Sequence, residues 1–427
     1  MISGTGGGSL TDEPLRIALL SYKGNPFCGG QGVYVRNLSR ELVRLGHSVD
    51  VLSGQPYPVL DDGVSLTEVS SLDLYREPDP FRMPKRHEYR DWIDVLEVAT
   101  MMTAGFPEPT TFSLRALRLL GQRRDRYDIV HDNQCLGYGM LGLGRLGLPL
   151  VTTIHHPIQI DRQLELASAV GSRRVSLRRW YGFTTMQRRV ARFLRDVITV
   201  SESSRSEIVR HLGIPASRIR IVPVGTDAEL FSPDPGVPRI PGRVVTTASA
   251  DVPLKGLLPL VEAIAKVRTE RHAELVVIGS VREGGPVAEM IERYSLGGAV
   301  RFTGRVSHDD LVHELRSAEV AVVPSLFEGF SLPLIEAMAC ATPVVATTAG
   351  ALPEVAGVDG RTALLVPPGD PQALAGAIAR ALEDEALRAR LGAAGRERVV
   401  TRFTWRAAAE RTVDSYREAI RRRKRRG

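Results

Sequence analysis

One stretch decides the predicted fold: Val323-Pro-Ser-Leu-Phe-Glu-Gly-Phe-Ser-Leu-Pro-Leu-Ile-Glu-Ala-Met-Ala-Cys340. The apolar run before it, residues 318–323, predicts a buried strand, and a helical pattern begins near Leu332. Glu328 therefore lies in the connecting loop, and Glu336 lies one turn into the helix. Carboxylates bind hydroxyl groups, and the free amides of residues 329–331 face the same space, where the N-terminus of the helix attracts anions. This combination fits a polyol joined to a phosphate, such as a nucleotide sugar.

The start of the chain shows the same strand, loop and helix pattern. An apolar strand from Leu15 leads into a turn with Gly29, Gly30 and Gly32, then a helix and a second strand at 48–52. This order predicts a doubly wound sheet. The glycine spacing differs from the Gly-x-Gly-x-x-Gly of dinucleotide-binding proteins. The glycines either let backbone approach a phosphate or sugar, or simply form a tight turn before the helix.

With 427 residues, the chain is too long for one ordinary core, so two domains are expected. A proline-rich segment without apolar periodicity predicts a linker near the middle, after which the strand–helix alternation restarts. The proline-broken insertion in the first domain either shapes a specific substrate or covers the sheet. The predicted bounds are 1–14 for a disordered leader, 15–225 for the first domain with its insertion at 55–126, 226–242 for the linker, 243–402 for the second domain, and 403–427 for a final helix and basic tail.

Polar clusters follow two strands of the first domain. His131 ends the strand 128–131, and His155 follows the strand 149–154 directly. In open α/β sheets the carboxyl ends of strands face the ligand crevice. His155 is therefore the stronger candidate for a functional side chain, and His131 is balanced between function and structure.

The net charge of +7 comes from two segments. Residues 173–195 contain eight arginines and no acid, residues 421–426 are all basic, and the rest of the chain carries about −7. Such segments suit an anionic lipid surface or an anionic substrate, whereas nucleic acid is not expected because no nucleic-acid module accompanies them. A helix over 175–195 either lies on a membrane or packs its apolar side on the domain.

Several other classes of protein are not expected. No apolar run is long enough to span a membrane, and the start of the chain does not have the pattern of a signal peptide. Cys28, Cys135 and Cys340 are widely spaced and match no metal motif, so we expect a cytoplasmic protein, either soluble or peripheral on the inner face of the membrane. No metal ligand set is predicted.

The spacing from Glu328 to Glu336 is a Glu-x7-Glu motif, and it resembles the motif of the retaining glycosyltransferases of family 4. Other similar blocks follow in the family's order along nearly the whole chain, including 29–38, 198–204, 222–227, 254–256, 277–279, 302–305 and 364–369. The resemblance implies the GT-B fold, in which two Rossmann-like doubly wound domains face each other across a cleft. It also implies a hexosyltransferase (EC 2.4 class) that uses a nucleotide diphosphate sugar and no other cofactor.

The resemblance also implies roles for individual residues. Glu336 would bind the ribose, Glu328 and the amides of Gly329, Phe330 and Ser331 would hold the transferred sugar, and Lys255 would pair with the diphosphate. The other residues would surround the rest of the donor and the acceptor. Gly29 and Gly30 would lie beside the phosphates, and Arg305 and Val306 at the base. His155 would lie against the transferred sugar, and Gln31 and His131 would lie on the acceptor side. The final helix would cross back onto the first domain. His155, Lys255 and Glu328 are then the candidates for catalysis.

One position departs from the family pattern. Many members have an arginine six residues before the lysine, where it clamps the diphosphate, and Ser249 stands there in this chain. Another cation takes over this role, or Ser249 and nearby amides suffice, or activity is weak.

Chemically, the resemblance implies metal-independent transfer with retained configuration, by attack of the acceptor hydroxyl on the face that the diphosphate leaves. No pair of carboxylates suits the double displacement used by retaining glycosidases. The alternatives are a GT-B nucleotide-sugar epimerase and a catalytically weak homologue that binds sugar nucleotides. The sugar, the base, the acceptor and the oligomeric state stay open.

Overall fold

A computed structural model describes residues 13–24, 30–76, 78–248 and 252–425. These residues divide into two compact units, each with its own parallel β-sheet. Unit 1 contains the chain up to Val200, then Arg205–Val222, and the chain from Ala408 onward, whereas unit 2 contains Ser201–Ser204 and Pro223–Ala407. The predicted α/β class with two Rossmann-like, doubly wound domains is confirmed.

In the described chain, unit 1 has seven parallel strands: β1 Arg16–Ser21, β2 Ser48–Ser53, β3 Ser65–Glu68, β4 Ile129–Asn133, β5 Leu150–Thr153, β6 Val197–Thr199 and β7 Ile219–Ile221. Their order across the sheet is β3-β2-β1-β4-β5-β6-β7. The strand order reverses between β1 and β4. Ligands of open α/β sheets bind at such a switch point, beyond the carboxyl ends of the strands.

Six parallel strands form the sheet of unit 2 within the same described ranges: β8 Ile240–Thr247, β9 Glu274–Ile278, β10 Val300–Phe302, β11 Ala318–Val323, β12 Val344–Thr347 and β13 Leu364–Val366. Their order is β10-β9-β8-β11-β12-β13. Here the switch point lies between β8 and β11, so the loops that follow these two strands are neighbours.

The helices connect the strands and cover both sheets. Their bounds are α1 Gly30–Arg44, α2 Trp92–Met102, α3 Glu108–Gln122, α4 Gly139–Leu143, α5 Gln159–Ser168, α6 Gly171–Trp180, α7 Phe183–Ala191, α8 Glu202–Leu212, α9 Leu257–Val267, α10 Pro286–Arg293, α11 His308–Ser317, α12 Leu332–Ala339, α13 Leu352–Ala356, α14 Pro371–Glu383, α15 Glu385–Arg402 and α16 Trp405–Lys424.

Apolar runs in the central strands explain the two sheets. Leu19 and Val130 of unit 1, and Val245 and Val322 of unit 2, are almost completely buried, together with their strand neighbours. Strands of a parallel sheet are covered by helices on both faces, so they need continuous apolar runs, which is the pattern that predicted them. Each unit therefore has its own hydrophobic core.

The insertion at 55–126 is an integral part of unit 1. It contributes β3, which pairs with β2 at the sheet edge, and the helices α2 and α3. Phe112 and Leu120 of α3 belong to the main core of the unit, whereas Leu74 and Val98 form a smaller core of their own. The insertion thus extends the sheet and covers it.

The segment 226–242, predicted as a linker, is fixed to unit 2. The guanidinium of Arg316 donates to the carbonyl oxygen of Ser232 at 2.6 Å and to its hydroxyl at 3.0 Å. Arg239 donates to the carbonyl oxygen of Ala341 at 2.8 Å, and β8 begins one residue later at Ile240. Proline interrupts the periodicity here, but side chains from elsewhere in unit 2 hold the segment. The predicted leader lies almost entirely outside the described residues.

The basic segment expected as a single helix over 175–195 forms two helices, α6 and α7. The break falls at Tyr181–Gly182, since glycine is a poor residue for a helix interior. The arginines of α6 are exposed, and α7 buries Met186 and Val190 in the core of unit 1. Helix α7 therefore packs on the domain, whereas the exposure of α6 does not distinguish between the two interpretations drawn from the sequence.

Helix α16 begins in unit 2 and from Ala408 onward belongs to unit 1. Its Tyr416 is fully buried, and the phenol oxygen lies 2.6 Å from Nδ1 of His131 on β4. Arg422 also binds Asp196 at 2.6 Å, immediately before β6. From Ala408 onward, α16 therefore completes the interior of unit 1, the unit that also contains β1.

Candidate functional site

In unit 2, the predicted ligand residues lie at the switch point of the sheet. Lys255 follows β8, and Glu328 follows β11, the neighbouring strand. The Lys255 ammonium donates to Glu328 Oε1 at 2.8 Å, and the Ser325 hydroxyl donates to the same oxygen at 2.9 Å. The structure thus brings together two residues that are 73 positions apart and that were predicted to bind one donor.

Two glycines allow the loops at this point to come close together. Gly256 has a φ of +68°, and a Cβ atom there would lie 2.0 Å from the carbonyl oxygen of Pro324. Gly350 has a φ of +55°, and its Cβ would lie 2.2 Å from the carbonyl oxygen of Glu328. Only glycine fits both the conformation and the space, so these positions set the distance between the loop of Glu328 and its neighbours.

The main chain reinforces this arrangement. The amide of Leu326 donates to the carbonyl oxygen of Leu254 at 2.7 Å, which joins the loop after β11 to the turn that contains Lys255. The amide of Ala351 donates to the carbonyl oxygen of Glu328 at 2.9 Å. The backbone of the loop that contains Glu328 is therefore held by hydrogen bonds to the segments on both sides of it.

Ser331 precedes α12 in an unusual conformation. Its φ of +90° is a region that L-residues other than glycine rarely adopt, and it therefore stores backbone strain. Its side chain is buried, but its hydroxyl has no hydrogen-bond partner among the described residues. Phe330 is buried beside it. The rings of Phe330 and Phe403 meet edge-on, with 5.6 Å between their centroids. The turn is thus anchored by the aromatic ring and strained at the serine.

Glu336 lies on α12, one turn from its N-terminus, and is partly exposed. Burial raises the pKa of this carboxyl to about 7, because the charged form loses hydration. A carboxyl with this pKa changes charge near neutral pH. It can accept two hydrogen bonds from a diol when it is ionised.

In unit 1, His155 follows β5 and is held from several sides. Its Nε2 lies 2.8 Å from Oδ1 of Asn133, and its amide donates to Oε1 of Gln134 at 2.7 Å. The ring of Tyr34 on α1 packs edge-on against it, with 4.7 Å between ring centroids. Burial, assisted by the neighbouring His156, lowers the pKa of His155 to about 3, so the imidazole is neutral at physiological pH.

The prediction that His131 faces the acceptor is wrong, because the structure places this side chain inside unit 1. The ring is fully buried, with Nδ1 2.6 Å from the Tyr416 oxygen and Nε2 2.7 Å from the Thr153 hydroxyl. Burial lowers its pKa to about 3. His131 is a structural residue that joins β4 to β5 and α16.

The other predicted residues are more scattered. Gly30 and Gln31 open α1 at the switch point of the first sheet, whereas Gly29 and Ser249 lie outside the described residues. Arg305, which is exposed, and Val306 follow β10 at the edge of the second sheet. Because two strand spacings separate β10 from β8, this pair lies about 10 Å to the side of the Lys255 turn.

Sequence reasoning did not single out four residues that shape these sites: Tyr34, Asn133, Gln134 and Ser325. Asn133 and Gln134 belong to the polar cluster that follows β4, so their position in the sequence could have marked them. The sequence contains no comparable signal for Tyr34, because a buried aromatic residue on the inner face of α1 has the same pattern as any core residue.

Comparisons with known proteins agree with this geometry. Residues 239–398 match the model of the glycosyl transferases group 1, and residues 28–230 match that of glycosyltransferase family 4. An MMP α-(1→4)-mannosyltransferase of Mycolicibacterium hassiacum is 51% identical over 407 residues, covering 95% of this chain and 98% of that protein. A D-inositol 3-phosphate glycosyltransferase of Kineococcus radiotolerans is 30% identical over 95% of both chains.

Among solved structures, sucrose-phosphate synthase from Thermosynechococcus elongatus is similar over 95% of this chain and 99% of that chain, with a TM-score of 0.72 and 26% identity. The similarity therefore extends over both units of the chain and is not limited to one domain.

The strain at Ser331 gives a stability prediction. Ser331→Gly removes a strained φ without removing a hydrogen bond, so we expect it to stabilise unit 2 by about 1 kcal/mol. For a unit of this size, the melting temperature rises by about 2–4 °C, as measured by calorimetry.

Ser307→Gly is the matched control, because Ser307 precedes α11 with an ordinary φ of −69° and its hydroxyl accepts from the Asp310 amide. This variant loses a helix cap and is expected to melt slightly lower than the wild type. Equal destabilisation by both substitutions would contradict the strain assigned to Ser331.

Proposed function

The chain belongs to the family 4 glycosyltransferases, and we propose that it transfers a hexose from a nucleotide diphosphate sugar to an acceptor hydroxyl with retention of configuration. The observation that carries this proposal is the contact between Lys255 and Glu328 at the switch point of unit 2, beside the turn that opens α12. This arrangement offers one cation for a diphosphate and one carboxylate for sugar hydroxyls. We propose mannose as the hexose, because the 51% identical relative is named as an α-mannosyltransferase.

On the donor side, Glu336 accepts hydrogen bonds from the ribose hydroxyls, and Glu328 accepts them from hydroxyls of the transferred sugar. Lys255 stabilises the diphosphate as its negative charge grows during bond cleavage, and the amides of residues 329–331 help Glu328 to hold the transferred sugar. Arg305 and Val306 bind the base. Gly29 and Gly30 keep the role beside the phosphates that the resemblance implies. Ser249 stands where many family members have the arginine that clamps the diphosphate, and we propose that another cation takes over this role.

The proposed reaction requires no additional cofactor or metal. The acceptor oxygen attacks the anomeric carbon on the face from which the diphosphate leaves, and the acceptor proton passes to an oxygen of the leaving phosphate. Glu328 acts as a sugar ligand in this scheme, since its carboxylate is engaged by Lys255 and Ser325. A donor with an α-linked sugar then gives an α-linked product, in agreement with the name of the relative.

We propose that His155 contacts a hydroxyl of the transferred sugar, which is the role that the resemblance implies for it. Its imidazole is neutral because burial lowers its pKa, so it acts as a hydrogen-bonding group and adds no positive charge. The acceptor is proposed only as a compound with a hydroxyl group, and Gln31 at the start of α1 lies on its side.

The first test is a donor panel with the full chain. A donor that binds the folded protein raises its melting temperature, and we expect the largest shift with a nucleotide diphosphate mannose. Glu328→Gln should lower kcat/KM for transfer or for donor hydrolysis by about 10- to 100-fold, since a hydrogen bond to a charged group is lost.

Glu270→Gln is the control, because Glu270 is exposed beyond the C-terminal end of α9. Conversion of the donor sugar without an acceptor would support an epimerase instead. A wild-type protein that binds a donor but neither transfers nor hydrolyses it would support a binding homologue.

A second test uses the pKa of Glu336. Below pH 7 this carboxyl is protonated in the unliganded protein and loses its capacity to accept two hydrogen bonds. We therefore expect the donor affinity of the wild type to weaken as the pH falls through about 7, as measured by titration calorimetry. Glu336→Gln should bind more weakly at high pH and show no such dependence. A wild-type affinity that stays constant from pH 6 to 8, a range of about one unit on each side of the pKa, would rule out this role.

We also propose that unit 1 engages an anionic surface, either the membrane or a lipid-linked acceptor. Among the helices that the structure describes, none combines the length and apolarity needed to cross a bilayer. Helix α6 supports the proposal, because it presents exposed arginines and no acid, next to exposed Val170 and Val175. A group of arginines without acids is attracted to the negative surface of anionic lipids.

Vesicle flotation at physiological ionic strength tests this surface. We expect binding to vesicles that contain phosphatidylglycerol and not to pure phosphatidylcholine, with loss of binding in the double variant Arg173→Glu/Arg174→Glu. The double variant Arg390→Glu/Arg402→Glu changes the net charge equally on exposed helix positions of unit 2 and should still bind. Equal loss in both variants, or no flotation of the wild type, would overturn the proposal.

A further inference from the structure

The switch point of unit 2 offers little net positive charge for a diphosphate. The Lys255 ammonium is paired with Glu328 at 2.8 Å, so the two charges offset each other. Glu336 on α12 adds a carboxyl group and no cation. At the position where many family members have a second cation, this chain has Ser249. A diphosphate that gains negative charge during bond cleavage therefore requires a cation that these residues do not supply.

Within unit 2, the sheet topology limits where this cation can come from. Ligands of such a sheet bind beyond the carboxyl ends of its strands, where the loops after the strands lie. These loops span 248–256, 279–285, 303–307, 324–331, 348–351 and 367–370. The lysines and arginines in their sequences are Lys255, Arg282 and Arg305. Because Lys255 is paired with Glu328, Arg282 and Arg305 are the remaining candidates.

Arg282 is the nearer of these two arginines to the turn of Lys255. It lies in the loop after β9, and β9 is the strand between β8 and β10. Adjacent strands are about 5 Å apart, so one strand spacing separates this loop from the turn of Lys255, whereas two spacings separate Arg305 from it. A donor with its base at Arg305 and its diphosphate at Lys255 would extend across the loop of Arg282.

A cavity of about 460 Å³ is lined by both loops. Val252 and Pro253 contribute from the turn of Lys255, and Arg282 and Gly285 contribute from the loop after β9. Ligand pockets in proteins usually have volumes of about 300–1,000 Å³, so this space is large enough for a phosphate group. The shared cavity therefore shows that Arg282 lies beside the turn of Lys255.

The local backbone holds Arg282 at the first position of a tight turn. The amide of Gly285 donates to the carbonyl oxygen of Arg282 at 3.1 Å, and Gly284 has a φ of +64°, which favours glycine at this point of a turn. The Arg282 side chain is exposed. Its guanidinium forms no hydrogen bond or ion pair with any residue that the structure describes. It is therefore available to bind an anion.

We propose that Arg282 binds the diphosphate of the donor together with Lys255, in place of the arginine that is absent at position 249. The inference rests on the proposed function, and it adds the residue that supplies the missing charge. A guanidinium can donate two parallel hydrogen bonds to one phosphate, whereas Lys255 acts as a point charge. Both cations stabilise the leaving diphosphate as the bond to the sugar breaks.

Titration calorimetry with the full chain tests this assignment. The probes are GDP, UDP and ADP, and the corresponding nucleosides measured by competition. Arg282→Gln should weaken binding of the preferred diphosphate by about 10- to 100-fold, because hydrogen bonds to a charged group are lost. Its affinity for the nucleoside should be unchanged, since a nucleoside has no phosphate. Arg282→Lys should bind the diphosphate with intermediate affinity, because it keeps the charge but loses the fork of donors.

Arg293→Gln is the matched control. Arg293 is exposed at the C-terminal end of α10, and the loop of Arg282 precedes the N-terminal end of the same helix. This variant removes an equal charge and should bind the diphosphate as tightly as the wild type. Equal weakening by Arg282→Gln and Arg293→Gln would indicate a general effect of net charge and would contradict a direct contact.

A rescue experiment separates a phosphate contact from a structural role. Ser249→Arg, introduced into Arg282→Gln, restores the arginine that many family members have. The double variant should recover most of the affinity for the diphosphate and most of the lost kcat/KM for transfer. A structural defect caused by Arg282→Gln would not be corrected in this way, so a double variant without any recovery would overturn the inference.

The same measurements distinguish this inference from the proposed function. A wild type that binds GDP, UDP or ADP, with an affinity that Arg282→Gln does not change, would overturn the inference alone and leave the proposed function standing. A wild type that binds none of the three diphosphates would contradict the proposed function and the inference together.

Discussion

The parallel arrangement of the strands is the constraint on which the rest of the structure depends. In each unit all strands run in one direction, so every loop after a strand opens at the same edge of its sheet. The reversal of strand order then makes two of these loops neighbours. In unit 2, this brings the turn of Lys255 against the loop of Glu328. In unit 1, the adjacency of β4 and β5 places Asn133 and Gln134 against His155.

The loops after the strands carry charged side chains in unit 2 and a neutral histidine in unit 1. Unit 2 places a cation and two carboxyl groups at its switch point, and the close approach that glycine allows at positions 256 and 350 orients them. In unit 1, burial lowers the pKa values of His131 and His155 so that both rings are neutral. The charged groups of unit 2 are therefore concentrated at its switch point, whereas the two buried histidines of unit 1 add no positive charge.

The sequence predicted the architecture well, because continuous apolar runs and helical periodicity are local properties. The neighbourhood of Lys255 and Glu328 followed from the motif and from the rule for strand ends. The role of His131 could not be predicted, since its partner Tyr416 lies 285 residues away and its burial depends on α16. The segment 226–242 looked like a linker for a similar reason. Its restraints come from Arg316, far along the chain.

The basic segment shows a different limit of prediction. Its apolar residues recur at helical spacing through Gly182, yet the chain breaks into α6 and α7 at that point. Hydrophobic periodicity indicates which face of a helix is apolar, but it does not indicate where the hydrogen bonding of the helix ends. Asn133 and Gln134, whose side chains contact His155, show the same limit. A polar cluster in the sequence marks the end of a strand, but it does not indicate which partner each side chain will bind.

The composition of unit 1 from separate parts of the chain has a consequence for its biosynthesis. The last strand of its sheet in the sequence, β7, ends at Ile221, and Tyr416 is added 195 residues later. At the usual rate of synthesis this is a delay of roughly 10–40 s, during which the surface of β4 at His131 lacks its covering helix. Unit 2 is almost one continuous segment and can fold within that time. Unit 1, whose synthesis begins before that of unit 2, is therefore completed after it.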